Sequence, residues 1–172
     1  MKKLVSVLMI LVLAAALIMG AACGKDPQTP ANSTEESVGF STTADQLYNA
    51  ALAVSGFGNM TAVPQTDYSD IYGIDVSKIA DSAWYVSENP SLNADEIAVF
   101  KLGYPDYADT LKGIFESRIA RQLQVAQTYS PEEASKLENA YVTVTTEGFI
   151  FVYYCIGDNS EAMMQAIASN FK

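Results

Sequence analysis

Residues 141 to 156 read YVTVTTEGFIFVYYCI, and the way this stretch folds decides the architecture of the chain. Two runs rich in β-branched and aromatic residues, YVTVTT and FIFVYYCI, flank Glu147 and Gly148. Glycine supplies the positive φ that a tight turn needs, so the spacing predicts a β-hairpin. The second run is apolar on both faces of a strand, which places it inside a sheet.

Working outward, a second strand pair lies upstream. AWYV begins at Ala83, ENPSLN is a turn signal, and EIAVFKL follows, so these residues also predict two antiparallel strands. Between the hairpins, after Pro105, DYADTLKGIFESRIARQLQVAQTY carries a helical period. Ala108, Leu111, Phe115, Ile119 and Ala126 fall on one side of the wheel, with Asp109, Lys112, Glu116 and Gln127 opposite. SPEEASKLEN predicts a short capped helix with Pro131 in its first turn. DNSEAMMQAIASNF predicts a last helix, on which Met163, Ile167 and Phe171 recur every four residues.

Ahead of the first hairpin, TTAD after Ser41 resembles a capping box and opens a helix with Leu47, Ala51 and Val54 on one face. It stops at SGFGN, where glycine is a natural C-cap. The expected fold is therefore α+β: a four-stranded, mainly antiparallel sheet made of two hairpins, helices packed on one face, and one long helix between the hairpins.

The run YGIDVSKIADSAWYV, then ADEIAVFKL, the Arg118 to Gln122 helix, YSPEEASKLENAYV and the closing hairpin together resemble a family of small lipoproteins from Gram-positive anaerobes of the clostridial type, labelled domain of unknown function 4358. The resemblance spans Tyr72 to Phe171. It implies a lipid-anchored extracytoplasmic domain with no established activity.

The amino end agrees with that implication on its own chemistry. Lys2 and Lys3 precede an uncharged segment, Leu4 to Ala22, and the next charge is Lys25. This is the pattern of a bacterial export signal, and the basic start keeps the amino end inside. An uncleaved anchor and plain secretory cleavage are the competing readings. Gly20, Ala21 and Ala22 before Cys23 resemble a lipobox, with Gly20 where leucine is usual, so Cys23 is the expected lipid-attachment residue. One acyl chain holds a protein only reversibly and two hold it stably. The expected organisation is a signal peptide over 1–22, lipidated Cys23 and a tether over 23–41, and one α+β domain over 42–172. The tether, beginning GKDPQTPANSTEES, is polar and proline-bearing; as a coil it reaches about 20 to 25 Å.

Composition narrows the function. Twenty acidic residues against ten basic ones argue against nucleic acid as a partner. The chain has no histidine, which removes Ser-His-Asp and Cys-His catalysis and most zinc sites. With Cys23 used for the anchor, Cys155 has no disulfide partner in the chain, and its apolar context points to a buried thiol. Asp67, Asp70, Asp75 and Asp81 lack the register of a calcium loop and are expected in turns and caps. No cofactor or metal is expected.

Two function classes follow. The first is a non-catalytic envelope lipoprotein that binds a protein partner or small ligand, for which an aromatic groove around Trp84, Tyr85 and Tyr153 would speak. The second is a carboxylate-dependent envelope hydrolase using acids such as Asp95 with Glu96 or Glu132 with Glu133. Arg118 and Gln122 fall inside the apolar arc of the long helix. Arg118 there either snorkels to water or pairs with an acidic residue of the sheet, or else it forms an anion site. Arg118, Gln122 and Trp84 are thus the candidate ligand-binding residues.

Overall fold

The computed structural model describes residues 42–145 and 148–171. The expected signal segment, Cys23, the tether and Glu147 lie outside the described residues. The elements run in chain order as α1 (Ala44–Ser55), β1 (Met60–Ala62), α2 (Gln65–Asp70), β2 (Ile79–Ser87), β3 (Glu96–Leu102), α3 (Ala108–Tyr129), α4 (Pro131–Glu138), β4 (Thr143–Thr145), β5 (Phe151–Ile156) and α5 (Ser160–Ala168). The strand order is β1-β2-β3-β5-β4, and every neighbouring pair is antiparallel.

The class is α+β, and both expected hairpins form: β2 with β3, and β4 with β5. Gly148 turns the second at φ 79°. The sheet has five strands rather than four. The added strand, β1, runs along the outer edge of β2, with Met60 opposite Ser87 and Ala62 opposite Tyr85. Three residues hold no alternation long enough to mark a strand, and pairing with β2 is what makes β1 one.

Helices cover both faces of the sheet, which corrects the expectation of one. Successive strand residues point to opposite sides. Trp84, Ala98, Phe100, Val152, Tyr154 and Ile156 pack with α2, α3 and α4. Ala83, Ile97, Val99, Phe151, Tyr153 and Cys155 pack with α1 and α5. The physical reason is in β5, where all six residues are buried. A strand apolar on both faces needs cover on both.

The local signals hold at most positions. Thr43 caps α1 in a reciprocal box with Gln46, and Gly56 ends the helix at φ 75°. Leu47 and Ala51 are buried, but Val54 is exposed because it falls at the margin of the buried stripe formed with Tyr48 and Ser55. Ala108, Leu111, Phe115, Ile119 and Ala126 are the buried face of α3. Met163 and Ile167 are buried in α5, while Phe171 lies past the helix end and packs on the rings of Phe151 and Tyr153. Asp81 accepts from the backbone N–H of Ala44 at the start of α1 (2.7 Å), and Asp75 caps a 3-10 turn at Val76–Lys78. Among the described residues no helix is long and apolar enough to cross a membrane.

Candidate functional site

The centre strand β3 opens with a carboxylate. Glu96 is 1% exposed, and an ionised group can be shut from water only if its oxygens are satisfied. Trp84 Nε1 donates to Oε1 at 2.6 Å, and the Tyr154 hydroxyl donates to the same oxygen. Arg118 lays its guanidinium as a fork across both oxygens, Nε to Oε1 at 3.1 Å and Nη2 to Oε2 at 2.9 Å. Gln122 Nε2 donates to Oε2 at 3.4 Å.

Strand register and helical spacing assemble this set. Trp84 on β2 and Tyr154 on β5 both oppose Ala98, two residues beyond Glu96 on the same face of β3. Arg118 and Gln122 stand one turn apart on α3, so they share the face laid on that side of the sheet. Phe115, one turn earlier, wedges its ring among Trp84, Phe100 and Tyr154 at 4.9–5.7 Å and fixes the helix there. The guanidinium of Arg118 also sits over the rings of Tyr72 and Trp84 at 4.9 and 5.2 Å.

The electrostatics follow from this geometry. Burial alone would lower the pKa of Arg118, but the Glu96 carboxylate outweighs it and raises the value, so the cation is locked on. Burial first and Glu96 second push the Tyr154 phenol up, keeping its proton available for donation.

The structure thus brings Arg118, Gln122 and Trp84 to one carboxylate. Glu96 and Tyr154 complete the set. In the sequence Glu96 reads only as one of a carboxylate pair with Asp95, although a glutamate opening the mostly apolar run EIAVFKL is the signal that could have found it. The aromatic groove around Trp84, Tyr85 and Tyr153 does not form. Trp84 faces α3, whereas Tyr85 stacks on Tyr48 of α1 and Tyr153 packs on that same opposite face. Successive strand residues such as Trp84 and Tyr85 cannot line one surface.

A second ionic cluster sits next to it. Lys136 of α4 reaches Asp95 at 3.0 Å and Glu133 at 3.1 Å, and Glu133 also accepts from the backbone N–H of Ala94 at 2.7 Å. Burial would lower the Lys136 pKa, but the hydrogen bonds it donates to Asp95 and Glu133 raise it. These bonds pin the β2–β3 loop to α4. Beside the loop, α3 and α4 leave a cavity of about 310 Å³ lined by Leu92, Gln122, Val125, Tyr129 and Leu137. Among the described residues there is no group of three or more Cys, Asp and Glu side chains placed to hold a metal ion.

The model of a family described as a domain of unknown function (DUF4358) matches residues 53–156. The chain belongs to this family. The matched span runs from the last turn of α1 to the end of β5 and so contains the whole sheet and all five residues of the Glu96 cluster. No curated protein and no solved structure matches the chain.

Proposed function

We propose that this DUF4358 protein is a lipoprotein of the clostridial type, exported, cut before Cys23 and held by acyl chains at the outer face of the cell membrane. Its domain is non-catalytic and binds a protein partner or small ligand at the cell envelope. The observation that carries the reading is the sequence itself: a basic start, an uncharged Leu4 to Ala22 segment, and small residues up to Cys23.

Support for binding over hydrolysis comes from where the acids are used. Glu96 takes donors from four side chains and is closed to solvent. Asp95 and Glu133 are engaged by Lys136. A glycosidase needs two carboxyls facing a shared cleft, one of them free to give up a proton, and each of these three acids is already committed.

Growth with labelled palmitate tests the anchor. Label is expected on the wild-type chain and absent from Cys23→Ala; label persisting on the alanine variant would overturn the assignment.

A further inference from the structure

We propose that the domain rests on the outer face of the cell membrane through one end of its sheet, with Val76, Tyr104 and Phe149 in the lipid headgroup layer. This rests on the anchored half of the proposal above and adds which face of the domain meets the lipid.

Four observations meet at this end. First, strand register gathers its side chains. Ile79 opens β2 opposite Leu102, and Lys101 opposes Phe151, the first residue of β5. The Gly103 N–H donates to the Lys78 carbonyl at 2.8 Å and the Leu102 N–H to the Ile150 carbonyl at 2.9 Å. Lys78 and Tyr104 thus stand at the ends of β2 and β3, and Lys101 and Phe149 at the ends of β3 and β5. Second, the fold leaves large apolar side chains in water there: Tyr104 at 50% exposure, Val76 at 46% and Phe149 at 41%. Scattered exposed hydrophobes need no explanation, but three at the ends of neighbouring strands mark a contact surface.

Third, a lysine lies over each ring. Lys78 Nζ is 4.1 Å from the centre of the Tyr104 ring and Lys101 Nζ is 3.6 Å from that of Phe149. Neither lysine makes an ion pair among the described residues. Ring and ammonium together suit a membrane interface, where the ring sits at headgroup level and the lysine snorkels to the phosphates. Fourth, the chain enters the domain at this end. Lys101 Nζ donates to the Thr42 carbonyl at 3.4 Å, and the Ala44 N–H opening α1 is bound by Asp81, which opposes Lys101.

The entry point selects the occupant. The expected tether over 23–41 reaches only about 20 to 25 Å as a coil, so an anchored Cys23 keeps this end beside lipid at high effective concentration, and a weak contact suffices. Asp75 and Asp106 flank the lysines, so the surface carries no net positive charge. The rings and Val76 hold it rather than attraction to anionic lipid, and a zwitterionic bilayer is enough. The cavity beside the β2–β3 loop, at the opposite end of the sheet, then faces away from the membrane and stays open to a partner.

The test uses the full chain in nanodiscs of bromine-labelled phosphatidylcholine, which quenches tryptophan on close contact, compared with unlabelled discs. Tryptophan is placed singly at exposed positions, as Val76→Trp, Tyr104→Trp and Phe149→Trp at the docking end and Leu92→Trp and Tyr129→Trp at the far end. The buried Trp84 is common to all and is subtracted with the wild type. Emission should be lost at 76, 104 and 149 and kept at 92 and 129. Adding Tyr104→Ser with Phe149→Ser to Val76→Trp should restore its emission; both side chains are exposed, so this variant should fold. Emission kept at 104 and 149, equal loss at both ends, greater loss at 92 and 129, or loss at 76 unmoved by the two serines would each overturn the proposal. Palmitate labelling reads the anchor independently. Labelling retained without quenching at the docking end overturns only the docking, and labelling lost with that quenching retained overturns only the lipid anchor.

Discussion

Arg118 shows what one charged residue does inside an apolar face. On the wheel of α3 it lies where a hydrophobe is expected, and the structure answers with Glu96, forked across it, and with Trp84 and Tyr72 rings against the guanidinium. A buried pair of this kind adds little net stability over well-packed hydrophobes, but removing one partner strands the other. Arg118→Met should therefore cost about 3 to 5 kcal/mol, read from denaturant unfolding of the full chain in detergent. An unchanged midpoint would mean that Glu96 is satisfied without the arginine. The sequence pointed to Arg118 and Gln122 because each is out of place in an apolar arc, and to Trp84 only through an aromatic groove that does not form. It could not supply Tyr154, which reads as one more apolar residue in FIFVYYCI until the register of β3 and β5 sets its hydroxyl against the carboxylate.

Elements with their own local signals were readable and those without were not. The box at Thr43 and Gln46 and the left-handed Gly56 bound α1 at both ends, and both are chemical devices written within a few residues. Thr43→Ala should destabilise the domain by about 1 kcal/mol, since Gln46 N–H loses its 3.2 Å acceptor; the measurement is again the unfolding midpoint, with Thr43→Ser expected to restore it. The five apolar positions of α3 kept a helical period over its length, and all five are buried. β1 and α2, with three and six residues, are too short for any period to emerge. Their place comes from partners: Met60–Ala62 from β2, and Tyr68 of α2 from the rings of Trp84 and Phe100 at 5.4 and 5.2 Å.

For the whole molecule the central fact is the burial of β5, and it has a consequence in alkali. Burial raises the pKa of the Cys155 thiol from 9.0, of the Tyr154 phenol from 10.0, and of the Tyr153 phenol to about 12, the last helped by Tyr141. Above pH 9 the unfolded chain gives up protons that the native state keeps, so it binds fewer, and stability falls as pH rises. The contribution of these groups is whole below pH 9 and is lost as pH climbs toward the folded values. Each group steepens the fall by about 1.4 kcal/mol per pH unit while it is ionised only in the unfolded chain. Unfolding midpoints should hold steady from pH 7 to 8 and drop from pH 9 upward, with Cys155→Ala removing the earliest part of the drop. A flat profile to pH 11 would show that these side chains reach water in the native state. By itself the sequence determined the α+β class, the two hairpins, the long helix between them and the positions of the main caps, because each is set by side-chain period or turn chemistry within a short stretch. Only the tertiary structure decided that the sheet has five strands, that helices cover both its faces, and that Glu96 is the point on which Trp84, Arg118, Gln122 and Tyr154 converge. Those depend on which strands pair and in what register, and contacts between residues such as Glu96 and Tyr154, 58 positions apart, leave no local pattern in the chain.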